Sequence, residues 1–99
     1  MQFEFDPGKD AANLSKHGFS LAAAAQLSWD AALAWIDDRT DYGELRMIAL
    51  APMGDTLLFV AFVDWESARR IISLRKANRR EVNHYVTAIE EDQFDDADS

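Results

Sequence analysis

Ninety-nine residues, 48% of them apolar, suffice for one hydrophobic core and exclude a second. With no cysteine, the chain has no disulfide, no thiolate metal ligand and no cysteine nucleophile. The formal net charge of −8 is uneven: Glu90, Glu91, Asp92, Asp95, Asp96 and Asp98 put six acids in the last ten residues, leaving ten bases against twelve acids before them.

Phe3 and Phe5 alternate with polar residues and predict a short strand. Asp6-Pro7 starts a helix, Asp as N-cap and Pro at the first helical position. That helix is expected to run to Lys16-His17, with Gly18 as its left-handed stop. Ser20 caps a second, alanine-rich helix from Leu21 to about Ser28. Strands are expected at Leu33–Asp37 and Leu45–Ala51, joined by a polar connection and followed by a hairpin turn at Pro52-Met53-Gly54-Asp55. Leu57–Val63 is apolar without a break, as in a central strand covered on both faces. Arg70–Arg75 forms the last strand. Asn78-Arg79-Arg80-Glu81 reads as a capping box, and Val82, Tyr85, Val86 and Ile89 form one apolar stripe on the helix behind it. The order β-α-α-β-β-β-β-α predicts an α+β domain over residues 1–91: an antiparallel sheet with two N-terminal helices and a C-terminal helix packed against it. Residues 92–99 are expected to be an acidic, disordered tail. No apolar run approaches the roughly 18 residues of a membrane span. The first residues lack the basic-then-apolar order of a secretory signal, so a cytoplasmic location without membrane contact is expected.

Six of the ten bases fall in one stretch, Arg69, Arg70, Arg75, Lys76, Arg79 and Arg80. The planar fork of arginine suits phosphate, and a helix N-terminus beside it adds backbone N–H donors. Arg75, Lys76, Arg79 and Arg80 are therefore candidate RNA-phosphate contacts; a solvated face opposite the acidic tail is the competing reading. His17 and His84 are the default acid–base candidates, with helix capping and surface exposure as their respective alternatives. Glu44 and Arg46, expected at the start of a strand and on one face, are either a base with its orienting cation or an intrastrand ion pair. Glu81 is explained by capping, and Tyr85 by core packing. Trp65, in a turn, is more open to partners than Trp29 or Trp35. No metal-ligand spacing or cofactor-binding motif is present.

Phe5-Asp6 with Lys9, Asn13 and Lys16-His17-Gly18 resembles the opening of the BrnT family of toxins. Gly43-Glu44-Leu45-Arg46 resembles its central GExR element, and Arg70–Ala77 with Arg79-Arg80-Glu81 and Tyr85 its RIISxRKA…E…Y element. The three blocks stand in order across residues 3–86. Leu74 and the Asp64-Trp65-Glu66 segment depart from the family pattern. The resemblance implies a RelE-like fold, RNA cleavage that blocks translation, and neutralisation by a BrnA-type ribbon-helix-helix antitoxin through which operator DNA is bound. It implies metal-independent attack of the RNA 2′-OH on phosphorus, with catalytic candidates Glu44, His17, Arg70, Arg75 and Tyr85. The alternative, second to this, is a catalytically degenerate toxin-like binding module acting in antitoxin binding and operon autoregulation.

Overall fold

The structure, a computed structural model, describes residues 1–39 and 41–98, with 92–98 as backbone only; the tail expected at 92–99 lies outside the side chains described. Strands β1 (Gln2–Glu4), β2 (Leu33–Ile36), β3 (Met47–Met53), β4 (Thr56–Asp64) and β5 (Ala68–Lys76) form one sheet in the order β1-β5-β4-β3-β2. Helix α1 (Pro7–His17) and two 3₁₀ turns (Leu21–Gln26 and Trp29–Ala31) lie between β1 and β2, and helix α2 (Arg79–Asp98) follows β5. Neither α-helix is long and apolar enough to cross a membrane, among the residues described.

The sheet is mixed, where an antiparallel one was expected. β2 to β5 form an antiparallel meander, but β1 runs parallel to β5, pairing Gln2 with Ala68 and Glu4 with Arg70. The meander leaves the outer edge of β5 as the place where β1 can pair, and the crossover through α1 and the 3₁₀ turns sets its direction. β1 is short, so β5 beyond Arg70 lacks a strand on that side. There the carboxamide of Asn13, on α1, substitutes for one: its Nδ2 donates to the Leu74 carbonyl at 2.8 Å and its Oδ1 accepts from the Leu74 N–H at 3.1 Å. The same Nδ2 donates to the Phe19 carbonyl at 2.8 Å.

The helix ends follow local chemistry. The Asp6 carboxylate accepts from the Lys9 N–H at 2.9 Å, and Gly18, at φ 80°, closes α1 by donating to the Leu14 carbonyl. The alanine-rich segment is 3₁₀ rather than the expected α-helix. Three residues per turn stack Leu21, Ala24 and Leu27 along one line, and all three are buried. The Asp10 carboxylate fixes where it begins, accepting from the Leu21 N–H and the Ser20 hydroxyl. These residues pack on one face of the sheet with Ala49, Ala51, Leu58, Val60, Phe62, Ile71 and Leu74. β4 lies at the centre of the sheet, with residues 58–63 all buried, as expected of a strand covered on both faces.

The second face is less covered. Ile48, Leu50 and Phe59 carry Trp35, Leu57, Ala77 and Tyr85. Of the α2 stripe only Tyr85 packs there; Val82, Val86 and Ile89 remain 36%, 44% and 37% exposed. The helix is tied near its start, by Glu81 to Arg75 and by the Tyr85 hydroxyl donating to the Ala31 carbonyl at 2.7 Å, and its stripe does not lie flat on the sheet.

Candidate active site

Side chains along a strand alternate between faces, so Arg70 and Arg75, five residues apart, belong on opposite sides of a regular β5. They share a side. Ser73 pairs with Ala61 but Ile71 pairs with Phe62, so Ile72 is an extra residue that resets the alternation. Arg69 and Ile71 consequently face the α1 layer, while Arg70, Ser73 and Arg75 face α2.

The basic strip is thereby divided. Arg69 is only 17% exposed; its guanidinium binds Asp64 at 2.6 Å and lies 4.5 Å from the Trp29 ring and 4.3 Å from that of Phe62. It is a structural cation. Arg75 packs 3.9 Å over Phe59 and holds both carboxylate oxygens of Glu81 at 2.9 Å. Glu81 also accepts from the Asn78 N–H and donates its own N–H to the Asn78 side chain, completing the expected capping box. Burial, the largest single influence on the Glu81 carboxyl, raises its pKa, but the Arg75 hydrogen bonds and charge and the Asn78 N–H together hold it below the usual carboxylate value. This carboxylate thus fills the anion position at the start of α2. Lys76, Arg79 and Arg80 are exposed around it.

Arg70 forms a different corner, about 13 Å along β5 from Arg75, the span of the four steps from Phe59 to Val63 on the paired strand. It binds Glu44 at 3.1 Å, each side chain about one-third exposed, and its guanidinium lies 4.7 Å from the Trp65 ring. Glu44 and Arg46 are not on a strand as expected; they lie in the bend before β3. Its residues are held by polar contacts to Asp37. The buried Asp37 carboxylate accepts from Arg39 Nε at 2.7 Å, Arg39 Nη2 at 2.8 Å and the Tyr42 hydroxyl at 3.1 Å. The Arg39 hydrogen bonds chiefly, against burial and with help from the Arg39 N–H and Tyr42, lower its pKa to about 2. Arg46 packs 3.8 Å over the Tyr42 ring. Arg46 precedes the Met47–Phe62 pair and Arg70 pairs with Val63, so the two arginines stand two strands apart on one face, about 10 Å between backbones. Among the described residues, Nε of Arg46 and Nε of Arg70 are both buried without an acceptor. An unmatched buried donor costs about 1–3 kcal/mol, and one of the two belongs to the arginine that binds Glu44.

The other candidates lie elsewhere. His17 shares a groove with Lys9, Lys16, Ile72 and Ser73 at the β5 edge. His84 is exposed, edge-on to Trp35 at 5.7 Å between ring centroids. Tyr85 has its hydroxyl committed to Ala31. Among the described residues no three His, Asp or Glu side chains are arranged to hold a metal ion. Arg46 was legible as a cation beside Glu44, but its place across β4 from Arg70 was not, because nothing in the sequence shows that register.

These features define a small α+β domain with an arginine-flanked carboxylate on an open sheet corner. Residues 5–81 match the family model described as "Ribonuclease toxin, BrnT, of type II toxin-antitoxin system", and the chain belongs to that family. A type II toxin implies an antitoxin partner. No curated protein matches the chain.

Proposed function

We propose that this chain is an endoribonuclease toxin whose active site is the corner formed by Glu44, Arg46 and Arg70. The observation that carries this reading is the Arg70–Glu44 ion pair at 3.1 Å, with Arg46 on the same face two strands away, about 10 Å between backbones. Arg46 and Arg70 bind the non-bridging oxygens of the scissile phosphate and stabilise the charge that accumulates there in the transition state. Glu44 takes the proton of the ribose 2′-OH. The 2′-oxygen bonds to phosphorus, the bond to the 5′-oxygen breaks, and that oxygen leaves with a proton from solvent. The products are a 2′,3′-cyclic phosphate and a 5′-hydroxyl, and no metal enters the reaction. Arg75, Lys76, Arg79 and Arg80, one strand-length away, contact neighbouring phosphates rather than the scissile one. His17 and Tyr85 take no part in this reaction.

In the cell the toxin blocks translation in the cytoplasm and is neutralised by a BrnA-type antitoxin, which alone brings the complex to operator DNA. The fold is read as RelE-like. The half-exposed stripe of α2 beside the unpaired edge of β2 offers the apolar surface such a partner needs.

The test is purified protein on RNA with EDTA present, with end-group analysis of the products, alongside expression in cells with and without the antitoxin. Cleavage leaving cyclic phosphate ends, and growth arrest relieved by the antitoxin, are expected. Arrest that persists unchanged in a folded Arg70→Ala/Arg75→Ala variant would sink the assignment.

A further inference from the structure

Trp65 adjoins the Glu44–Arg70 corner without belonging to its phosphate chemistry. It follows β4, its backbone N–H donates to the Ala68 carbonyl at 2.8 Å, and the residue is 54% exposed. Arg70 covers its ring from one side, 4.7 Å from the centroid. With Glu4, Glu66, Ser67 and Ala68 the indole lines a cavity of about 320 Å³. Glu4 is the β1 partner of Arg70, so this cavity opens directly beside the corner. Asp64, the third acid nearby, is taken by Arg69. Glu4 and Glu66 are exposed and, among the described residues, have no cation partner.

We propose that Trp65, Glu4, Glu66 and Ser67 form a nucleobase subsite selective for guanine, holding the base next to the scissile phosphate. The proposal rests on the ribonuclease reading of the corner and adds the identity of one flanking nucleotide. The cavity lies at the lower end of the roughly 300–1,000 Å³ range of small-molecule sites, which suits a single base. An exposed indole is a stacking platform for any base. Two carboxylates are unfavourable neighbours for the RNA backbone, so their presence beside an RNA-binding corner calls for donors on the ligand. Guanine alone among the four bases presents two adjacent donors, N1–H and the N2 amino group, which match one carboxylate in a bidentate pair. Adenine and cytosine offer one amino group beside an acceptor, and uracil one imino group between acceptors. The Ser67 hydroxyl supplies the donor for guanine O6.

The test titrates the ¹⁵N-labelled full chain with 5′-GMP, AMP, CMP and UMP and follows the indole N–H signal of Trp65, assigned by its loss in Trp65→Leu. All four nucleotides carry the same phosphate, so differences report the base. GMP is expected to shift this signal with an affinity about tenfold or more above the others, and either Glu66→Gln or Glu4→Gln to bring GMP to the level of AMP. Equal binding of all four, or a preference retained in both glutamine variants, overturns guanine selectivity. No shift of the Trp65 signal with any nucleotide overturns the subsite. Cleavage of an RNA with one guanosine in an adenosine-rich strand separates the two readings. Selective GMP binding without cleavage supports the subsite and removes the ribonuclease assignment. Cleavage with no dependence on the guanosine keeps the ribonuclease and removes the subsite.

Discussion

The Glu44–Arg70 pair is about one-third exposed on both sides, so solvent screens it and its contribution to stability is about 0–1 kcal/mol. In the proposed reaction its value is larger, because a positioned acid–base group contributes roughly 10²–10⁴-fold. Glu44→Gln is therefore expected to lower RNA cleavage by about a hundredfold or more while moving the unfolding free energy by less than about 1 kcal/mol; cleavage kinetics and urea unfolding of the same preparation check both halves. Asn13 makes the opposite prediction. Its carboxamide satisfies both Leu74 backbone groups and the Phe19 carbonyl, and it is buried. Asn13→Leu strips three partners at once and is expected to destabilise the fold by about 2–4 kcal/mol, with the cleavage rate per folded molecule little changed. A wild-type urea midpoint in this variant would show that the carboxamide does not substitute for a strand. The two residues also mark what a sequence discloses. Glu44 was legible because a carboxylate two positions from an arginine suggests chemistry. Asn13 stood out only through the family pattern, since a carboxamide that completes a sheet has no local signature.

Elements governed by their own neighbours were legible: the Asp6 and Asn78 caps, the Gly18 stop and the unbroken apolar run of β4 all depend on residues within a few positions. Elements decided by partners far along the chain were not. The 3₁₀ form of Leu21–Gln26 comes from the three-residue spacing the sheet imposes, and the parallel β1 from an edge left open by the meander. The extra residue in β5 belongs with these, because it exists only relative to β4. Deleting Ile72 removes only the extra residue: Ser73 still pairs with Ala61 and Ile71 with Phe62, and Arg70 and Arg75, then four apart, stay on one face of a regular strand. The deletion is expected to fold at a cost of about 0.5–3 kcal/mol, read from denaturant unfolding, and to keep cleaving RNA; loss of cleavage in the folded variant would mean that the bulge itself sets the position of Arg70.

The connection from Asp37 to Arg46 is the other element whose order comes from one buried group. The folded pKa of Asp37, about 2, lies below its ordinary 3.8. Its contribution is therefore fully present above the ordinary value and is lost as pH falls through the folded one. Stability should decline between about pH 4 and pH 2, and Asp37→Asn should flatten that part of the curve. An unchanged acid limb in Asp37→Asn, followed by circular dichroism, would place the titration on other carboxyls.

At the scale of the molecule, the match to the family ends at Glu81, where α2 has just begun. The sheet corner with Glu44, Arg46 and Arg70 lies inside the matched residues, whereas the apolar stripe of Val82, Val86 and Ile89 lies beyond them. On the proposed function, the stripe that meets the antitoxin thus lies outside the residues the family model matches. Glu90 and Glu91 are exposed on the same helix, so a partner that seats on α2 meets charge at the rim of an apolar centre. Val86→Glu/Ile89→Glu places two charges in that centre at positions already 44% and 37% exposed in the free protein. Such surface changes alter folding by less than about 1 kcal/mol, and the RNA corner is untouched, so cleavage is expected to remain. Antitoxin binding is expected to weaken by about a hundredfold, the scale at which a few central residues dominate an interface, and co-expression should no longer relieve growth arrest. Neutralisation that survives in this variant would move the antitoxin off α2. It would then have to act on the face that carries the Glu44–Arg70 pair, and Arg70→Ala rather than the α2 charges would weaken its binding.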